Sequence, residues 1–211
     1  MSPLVYTLPA LAYLYGSVPF GFLAAKWLRG VDIRKTGSGN IGATNAARAL
    51  GFRFFPLIFL LDVSKGFLPT LAAVELVAGQ GAYAPHPLVV ATGVAAILGH
   101  VFPLYLGFKG GKAVATSAGF FLAVAPYAVA VAAGVWGIVF ALRRYVSLAS
   151  IAAAVALPVA VCLTHPDPFG TGVFLTGMSV LGGVFVIYLH RANMRRLLAG
   201  AENRVGTRRT Q

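Results

Sequence analysis

Long apolar stretches separated by short polar breaks are the feature that most constrains what this chain can fold into. Hydrophobic residues make up 58% of its 211 residues and charged residues only 10%, whereas an ordinary soluble domain carries about 25% charged residues. Runs of about 20 apolar residues match the length of a helix that crosses a bilayer. We therefore expect an all-α, polytopic membrane protein that forms a single domain over residues 1–211.

Seven membrane spans are expected. The stretch 113–142 is about 30 residues long and basic at both ends. Because basic residues collect on the cytoplasmic side, it must cross twice or not at all, and we expect two short spans with a turn near Pro126. The first span is bent at Pro19, and a short amphipathic helix is expected over residues 42–51. The spans are residues 4–25, 54–78, 87–106, two within 113–142, 147–164 and 171–189.

The distribution of charge indicates the orientation of the chain. With the N-terminus outside and the C-terminus cytoplasmic, 16 of the 17 Lys and Arg residues fall on the cytoplasmic side, and Lys65 lies inside a span. This asymmetry explains the net charge of +12 without nucleic acid as a partner. Lys65 and Asp62 lie three residues apart, on one helical face. We interpret them as a structural pair inside the membrane, although charges at that depth are often functional.

The longest polar run outside the termini is glycine-rich and covers residues 37–48. Its backbone N–H groups would lack partners in hydrocarbon, so the run must face water. Successive N–H groups before a helix start can bind an anion, and Arg48 adds a permanent charge. We expect this segment to hold a phosphate, with Ser38 or Asn40 capping the short helix that follows.

Two further polar clusters precede helix starts on the same predicted side. One runs from His100 to Thr116 and contains Gly110 and Gly111 between two lysines. The other contains Arg143 and Arg144 and ends at Ser147, which we expect to cap span six. Helix N-termini carry partial positive charge and free N–H groups. Three of them among basic residues predict a site for more than one anionic group.

Three familiar motifs are incomplete in this sequence. Residues 37–42 match a dinucleotide fingerprint, but no βαβ unit surrounds them. The sequence around Gly111 and Lys112 does not complete a P-loop. Tyr105 stands where an acyltransferase His-x₄-Asp motif needs its carboxylate. The single cysteine, Cys162, excludes an intrachain disulfide. Positioning and electrostatic stabilisation would therefore dominate catalysis.

At these residues the chain closely resembles the bacterial membrane acyl-phosphate:glycerol-3-phosphate acyltransferases, the PlsY family. The resembling segments follow the family order over nearly the whole chain. They are Gly37–Asn45 with Arg48, Gly99-His100, Phe108–Lys112 with Val114–Thr116, and Arg144-Tyr145 with Ser147-Leu148, joined by Gly16-Ser17, Asp62 with Lys65-Gly66, His190 with Asn193, and Gly200 with Glu202.

The resemblance implies transfer of a fatty acyl group from acyl-phosphate to the 1-hydroxyl of glycerol 3-phosphate, giving lysophosphatidic acid and phosphate in the first step of phospholipid synthesis. It implies seven helices in the bacterial inner membrane, a cytoplasmic active site, no cofactor or metal, and no obligate protein partner. Catalytic roles then fall on Ser38, Asn40, His100 and Lys112. Substrate- and phosphate-binding roles fall on Gly39, Thr44, Asn45, Arg48, Lys109, Gly110, Gly111, Arg144, Ser147, His190 and Asn193.

Ala113 departs from the family pattern, which has glycine at the fourth position of Gly-Gly-Lys-Gly. An alanine there is strained if its φ is positive and acceptable if the residue is already helical. We expect it to be helical. Two other functions remain open from the residues alone: an anion transporter with the same basic mouth, and a lipid-scaffolding protein whose charges only anchor headgroups.

Overall fold

The computed structural model describes residues 4–78 and 86–206, with side chains from residue 7 onward. These residues form α-helices, short 3₁₀ turns and loops, and they contain no strand. The α-helices are α1 (Leu4–Ser17), α2 (Phe20–Arg29), α3 (Ala43–Leu50), α4 (Phe55–Ala78), α5 (Pro87–Val101), α6 (Val114–Val124), α7 (Pro126–Arg143), α8 (Val146–Thr164), α9 (Val173–Leu189) and α10 (Arg191–Leu198). The expected all-α fold is confirmed.

Five helical segments of the described chain are long and apolar enough to cross a membrane. A sixth is added if α9 and α10, which meet at a bend of 57°, count as one span. The polytopic membrane character is thus confirmed, whereas the number seven and the orientation of the termini stay predictions. The expected span that is not among these six is the first of the two within 113–142. It corresponds to α6, which has 11 residues and is shorter than a straight crossing requires.

Two prolines break the helices where the sequence predicts. α1 ends at Ser17 and α2 begins at Phe20, so Pro19 separates the halves of the first span. Pro126 is the first residue of α7, and a single residue, Ala125, separates it from the end of α6. A proline fits the first helical turn because the N–H it lacks would have no intrahelical partner there.

The described chain divides into two compact units, one ending at Val124 and the other starting at Ala125. In the first unit, glycines let helix backbones touch. A Cβ added to Gly16 or Gly99 would overlap the backbone across the contact between α1 and α5. A Cβ added to Gly66 or Gly119 would do the same between α4 and α6. Small residues of this kind are the usual contact points of membrane helices.

In the second unit α8 packs between α7 and α9. Its core contains Ala128 of α7 with Ala160 and Val161 of α8. Leu142 and Leu163 are more than two-thirds exposed, as expected for side chains that face lipid.

The helix caps differ from the sequence prediction. Gly42 is the N-cap of α3, and no side chain caps that helix, so the prediction for Ser38 or Asn40 is wrong. Asn40 instead accepts a hydrogen bond from the Gly42 N–H at 2.8 Å, which forms a turn one step earlier. Tyr145 is the N-cap of α8, again without a side-chain cap. Ser147 lies inside that helix, so its predicted capping role is also wrong.

The expectation that Ala113 is helical is wrong as well. Its φ is +53°, and α6 begins one residue later. Ala113 is 1% exposed, so it occupies a left-handed conformation in a packed place. Such a conformation brings Cβ close to the next carbonyl oxygen and costs about 1–2 kcal/mol in a non-glycine residue.

Candidate active site

The glycine-rich loop, residues 36–42, is wrapped around the side chain of Asn45. The Asn45 amide donates to the carbonyl oxygens of Ile33 at 2.8 Å, Thr36 at 3.1 Å and Asn40 at 2.9 Å. Its oxygen accepts from the Ser38 N–H at 3.0 Å. Asn45 is 3% exposed. Its polar atoms hold the loop in shape, so we assign it an organising role rather than direct contact with a ligand.

Several amides expected to bind an anion are used within the loop itself. Besides Ser38, the Gly39 N–H donates to the Thr36 carbonyl and the Gly42 N–H to Asn40. The N–H groups of Ala43 and Thr44 begin α3, where a helix provides no acceptor for them. The backbone N–H groups of this segment that remain for the predicted anion are therefore those of the first turn of α3, and Arg48 follows Thr44 by four residues.

The segment that contains Gly110 and Gly111 packs directly on the end of α5. The Gly111 N–H donates to the His100 carbonyl at 3.0 Å. A Cβ on Gly110 would overlap that same carbonyl, and a Cβ on Gly111 would overlap the His100 imidazole. Both glycines are thus required by close packing. Lys112, the next residue, is half-buried.

A buried charged cluster contacts this segment through His100. Lys65 Nζ lies 2.6 Å from Asp62 Oδ1 and 3.4 Å from His100 Nδ1. Its ammonium also lies 5.0 Å from the centre of the Phe20 ring, a cation–π contact. Asp62, Lys65 and His100 are all at most 4% exposed. Buried charges are tolerated only when paired and hydrogen-bonded, and this cluster meets that condition.

The contact between His100 and the Asp62–Lys65 pair is the site feature that sequence reasoning missed. The pair itself is confirmed as an ion pair. His100 lies on another helix, and its Nδ1 is 3.8 Å from Asp62 Oδ1. Thr116 of α6 adds a hydrogen bond to the Asp62 carbonyl at 3.0 Å. The one available signal was the presence of charges within an apolar span, which marks functional positions by default.

In the second unit, the Glu202 carboxylate accepts hydrogen bonds from three polar side chains. Its Oε1 accepts from Ser147 Oγ at 2.9 Å and from Asn193 Nδ2 at 2.7 Å. Its Oε2 accepts from Arg196 Nε at 2.7 Å. The start of α8, α10 and the segment after α10 are therefore held together by one carboxylate. Two predicted substrate-binding residues, Ser147 and Asn193, are brought together here.

The electrostatics of Glu202 follow from these contacts. Burial raises the pKa of its carboxyl group, but hydrogen bonds from Asn193, Arg196 and Ser147 together outweigh burial, so the pKa lies below its ordinary value. Hydrogen bonds to a charged form favour that form. Glu202 is therefore an anion at neutral pH, and its charge is balanced mainly by Arg196.

Arg144 and His190 each form a hydrogen bond with the backbone of another residue in the second unit. Arg144 ends α7 with a φ of +59°, and its carbonyl accepts from the Val205 N–H at 2.9 Å. His190 is buried, with Nδ1 at 2.8 Å from the Val186 carbonyl. Since a carbonyl only accepts, Nδ1 carries the proton. In a neutral imidazole the other nitrogen, Nε2, is then an acceptor.

The predicted site residues thus fall into two groups. The first unit holds the glycine loop with Arg48, and the Gly110–Lys112 segment with His100, whereas Lys109 is exposed. The second unit holds Arg144 and the neighbours of Glu202. Among residues 4–78 and 86–206, no group of three or more His, Cys, Asp or Glu side chains could hold a metal ion.

Fold and polar clusters together define a helical integral membrane protein whose buried polar groups are arranged around glycine-flanked helix ends. The model of the family described as glycerol-3-phosphate acyltransferase matches residues 6–200. The chain belongs to this family. The glycerol-3-phosphate acyltransferases of Geobacter sulfurreducens and Aquifex aeolicus are 47% and 44% identical to it, over 93% and 92% of its length and 95% of theirs.

Solved structures agree with this assignment. The chain is similar to crystal structures of PlsY, an integral membrane glycerol 3-phosphate acyltransferase, at 43% sequence identity over 96% of each chain. The TM-score is 0.85 for the glycerol 3-phosphate form of that protein and 0.82 for its lysophosphatidic acid form. An acyltransferase that acts on glycerol 3-phosphate is therefore supported, and the resemblance identified from the sequence motifs is confirmed.

Proposed function

We propose that the chain transfers a fatty acyl group from acyl-phosphate to the 1-hydroxyl of glycerol 3-phosphate. The hydroxyl oxygen attacks the acyl carbonyl carbon, the bond from that carbon to the phosphate oxygen breaks, and the products are 1-acyl-glycerol 3-phosphate and inorganic phosphate. Family membership supports glycerol 3-phosphate as the acyl acceptor. The solved relative in a lysophosphatidic acid form supports the product, and the sequence motifs support the donor.

The proposal includes a location. The chain crosses the bacterial inner membrane seven times, with the N-terminus outside and the active site on the cytoplasmic side. The concentration of Lys and Arg at the ends of the spans supports this orientation. The acyl chain of the donor would lie between helices in hydrocarbon, while both phosphates face the polar segments at the helix ends.

Roles are proposed for individual residues from their chemistry. Arg48 and Lys112 are permanent or near-permanent cations, each beside a glycine-rich segment, and they bind phosphate oxygens through charge-assisted hydrogen bonds. Ser38 and Asn40 lie in the glycine loop and position the reacting groups. Lys109, Thr44, Gly39 and the second-unit residues Arg144, Ser147, His190 and Asn193 contribute substrate contacts. No cofactor and no metal is needed, because phosphate is already a good leaving group.

The proton of the attacking hydroxyl is proposed to pass to a substrate phosphate. The two carboxylates that contact predicted site residues are already engaged: Asp62 pairs with Lys65, and Glu202 accepts from three donors. A carboxylate held by a cation is a poor base, because the pairing stabilises its ionised form. The substrate phosphate remains the base nearest to the reaction.

A comparison of acyl donors tests the proposal. Purified protein in detergent micelles, where transport is impossible, is given glycerol 3-phosphate with either acyl-phosphate or acyl-CoA of the same chain length. We expect product with acyl-phosphate and none above background with acyl-CoA. Product with acyl-CoA alone would overturn the proposed donor, and the absence of product with both would overturn the proposed reaction.

A further inference from the structure

The buried cluster of Asp62, Lys65 and His100 has a geometry that decides which imidazole nitrogen carries a proton. The cluster joins α4 to the end of α5. His100 Nδ1 lies 3.4 Å from Lys65 Nζ, within hydrogen-bond distance, and 3.8 Å from Asp62 Oδ1, beyond it. Nδ1 is therefore bonded to the ammonium and not to the carboxylate.

The ammonium can only donate. Lys65 forms an ion pair with Asp62 at 2.6 Å, and a lysine ammonium has three donors and no acceptor. Nδ1 of His100 must consequently accept, so the proton of the neutral imidazole lies on Nε2. This arrangement is the reverse of a catalytic Asp–His dyad, in which the carboxylate accepts from Nδ1 and leaves Nε2 as a base.

Nε2 faces the glycine segment. It is among the imidazole atoms that a Cβ on Gly111 would overlap, and Gly111 directly precedes Lys112. Within the described chain the hydrogen bonds of His100 run to Lys65 through Nδ1 and to the Gly111 N–H through the carbonyl. The Nε2–H has no acceptor there. Nε2 is not one of the fully buried polar atoms that lack a partner in the described chain, so it is accessible to an acceptor from outside the protein. A donor at the edge of the proposed anion site therefore indicates an acceptor supplied by the ligand.

We propose that the Asp62–Lys65 pair fixes His100 as a hydrogen-bond donor through Nε2, and that this N–H binds a phosphate oxygen of the substrate held by Lys112. Asp62 and Lys65 are then positioning residues, which act through His100 without touching the substrate. The inference rests on the proposed function, since it needs a phosphate beside Lys112. It also explains why a membrane helix carries two buried charges at a cost in stability.

Two substitutions of His100 distinguish the roles of its two ring nitrogens. The side-chain amide of glutamine reaches the position of Nε2 and can donate there, whereas that of asparagine reaches only the position of Nδ1. We expect His100→Asn to raise one Michaelis constant about 10- to 100-fold, because it removes one hydrogen bond to a charged group. We expect His100→Gln to recover most of that loss.

Lys112→Ala provides the internal reference. Whichever substrate, acyl-phosphate or glycerol 3-phosphate, shows the larger rise in KM for Lys112→Ala must show the larger rise for His100→Asn. A purely structural role for His100 would lower the amount of folded enzyme and leave both KM values near wild type. That result, or a rise confined to the other substrate, would overturn the inference.

The positioning pair is tested by removing both charges at once. Lys65→Met alone leaves Asp62 buried and unpaired, and that variant can fail to fold. The double variant Asp62→Asn/Lys65→Met keeps the cluster neutral. It allows Nδ1 to carry the proton and donate to the asparagine oxygen, so Nε2 becomes an acceptor that repels phosphate. We expect the same KM to rise as in His100→Asn, and wild-type KM values in a folded double variant would overturn the role of the pair.

A spectroscopic measurement reports the tautomer without any turnover. The chain has four histidines, and ¹⁵N NMR of the labelled protein distinguishes a protonated from an unprotonated ring nitrogen. We expect a signal from an imidazole protonated at Nε2 that disappears in His100→Gln and changes to the Nδ1–H form in the double variant. An Nδ1–H tautomer of His100 in the wild type would overturn the inference, even if the enzyme uses acyl-phosphate as proposed. Failure of the donor comparison with an intact Nε2–H signal would count against the proposed function instead.

Discussion

The side-chain amide of Asn45 lies 2.8 Å from the carbonyl oxygen of Ile33, twelve residues earlier in the chain. Through this bond the first turn of α3 is tied to the short turn that precedes the glycine loop. Two further carbonyls of the loop, those of Thr36 and Asn40, are bound by the same nitrogen. The shape of the loop therefore depends on one buried amide.

Replacement of Asn45 should unfold the glycine loop. Asn45→Ala leaves three carbonyl oxygens and one N–H without their partner, and we expect it to lower the free energy of unfolding by about 2–4 kcal/mol. Asn40→Ala is the matched control, because it removes a single partly exposed hydrogen bond and should cost about 1 kcal/mol. Thermal unfolding midpoints in detergent measure both. Equal midpoints for the two variants would contradict an organising role for Asn45.

Replacement of Ala113 by glycine should stabilise the protein. The φ of +53° suits glycine, so we expect Ala113→Gly to raise the free energy of unfolding by about 1 kcal/mol. Ala118→Gly is the control, since this position lies within α6 and a glycine there should cost about 1 kcal/mol. The unfolding midpoints should therefore shift in opposite directions. A destabilised Ala113→Gly variant would show that the alanine is not strained.

The contribution of Glu202 to stability should depend on pH. Its pKa is lower in the folded state than the ordinary value, so its stabilising effect is complete above the unfolded-state pKa and is lost as pH falls through the folded-state pKa. Glu202→Gln cannot titrate and serves as the reference. We expect the difference in unfolding midpoint between wild type and this variant to be largest near neutral pH and to shrink in acid. A difference that stays constant over this range would refute the assignment.

Loss of either proposed phosphate-binding cation should reduce activity without preventing expression. Arg48→Ala and Lys112→Ala each remove a charge-assisted hydrogen bond of about 1.5–3 kcal/mol, which corresponds to roughly 10- to 150-fold in kcat/KM. Lys26→Ala is the control, because Lys26 is an exposed basic residue in the last turn of α2. It should keep activity near that of the wild type. A wild-type rate in Arg48→Ala or Lys112→Ala would remove that residue from the site.

The helices could be predicted because each depends on a local property. The span expected over residues 54–78 is α4, and the turn expected near Pro126 falls at the start of α7, because apolar runs and prolines act within a few residues. The number of spans could not be settled in this way. α6 is short and packs on α4 through Gly66 and Gly119, so its depth depends on its neighbours and not on its own length.

The internal contacts of the site were less accessible from sequence. The cap expected at Ser38 is wrong because α3 begins at Ala43, with Gly42 as its N-cap. The cap expected at Ser147 is wrong because this residue lies inside α8, where its Oγ bonds to Glu202. His100 lies 35 residues from Lys65, and no spacing rule joins residues on different helices. Residue types therefore allowed a prediction of anion-binding chemistry, whereas the hydrogen-bond partners required the fold.

The most direct test of the account follows both phosphates during a single reaction. Purified protein in micelles is mixed with acyl-phosphate and glycerol 3-phosphate, and ³¹P NMR records the species over time. The account predicts that the acyl-phosphate signal is replaced by inorganic phosphate while an equal amount of glycerol 3-phosphate becomes 1-acyl-glycerol 3-phosphate. Release of inorganic phosphate without any acylated glycerol 3-phosphate, or no change in either signal, would contradict it.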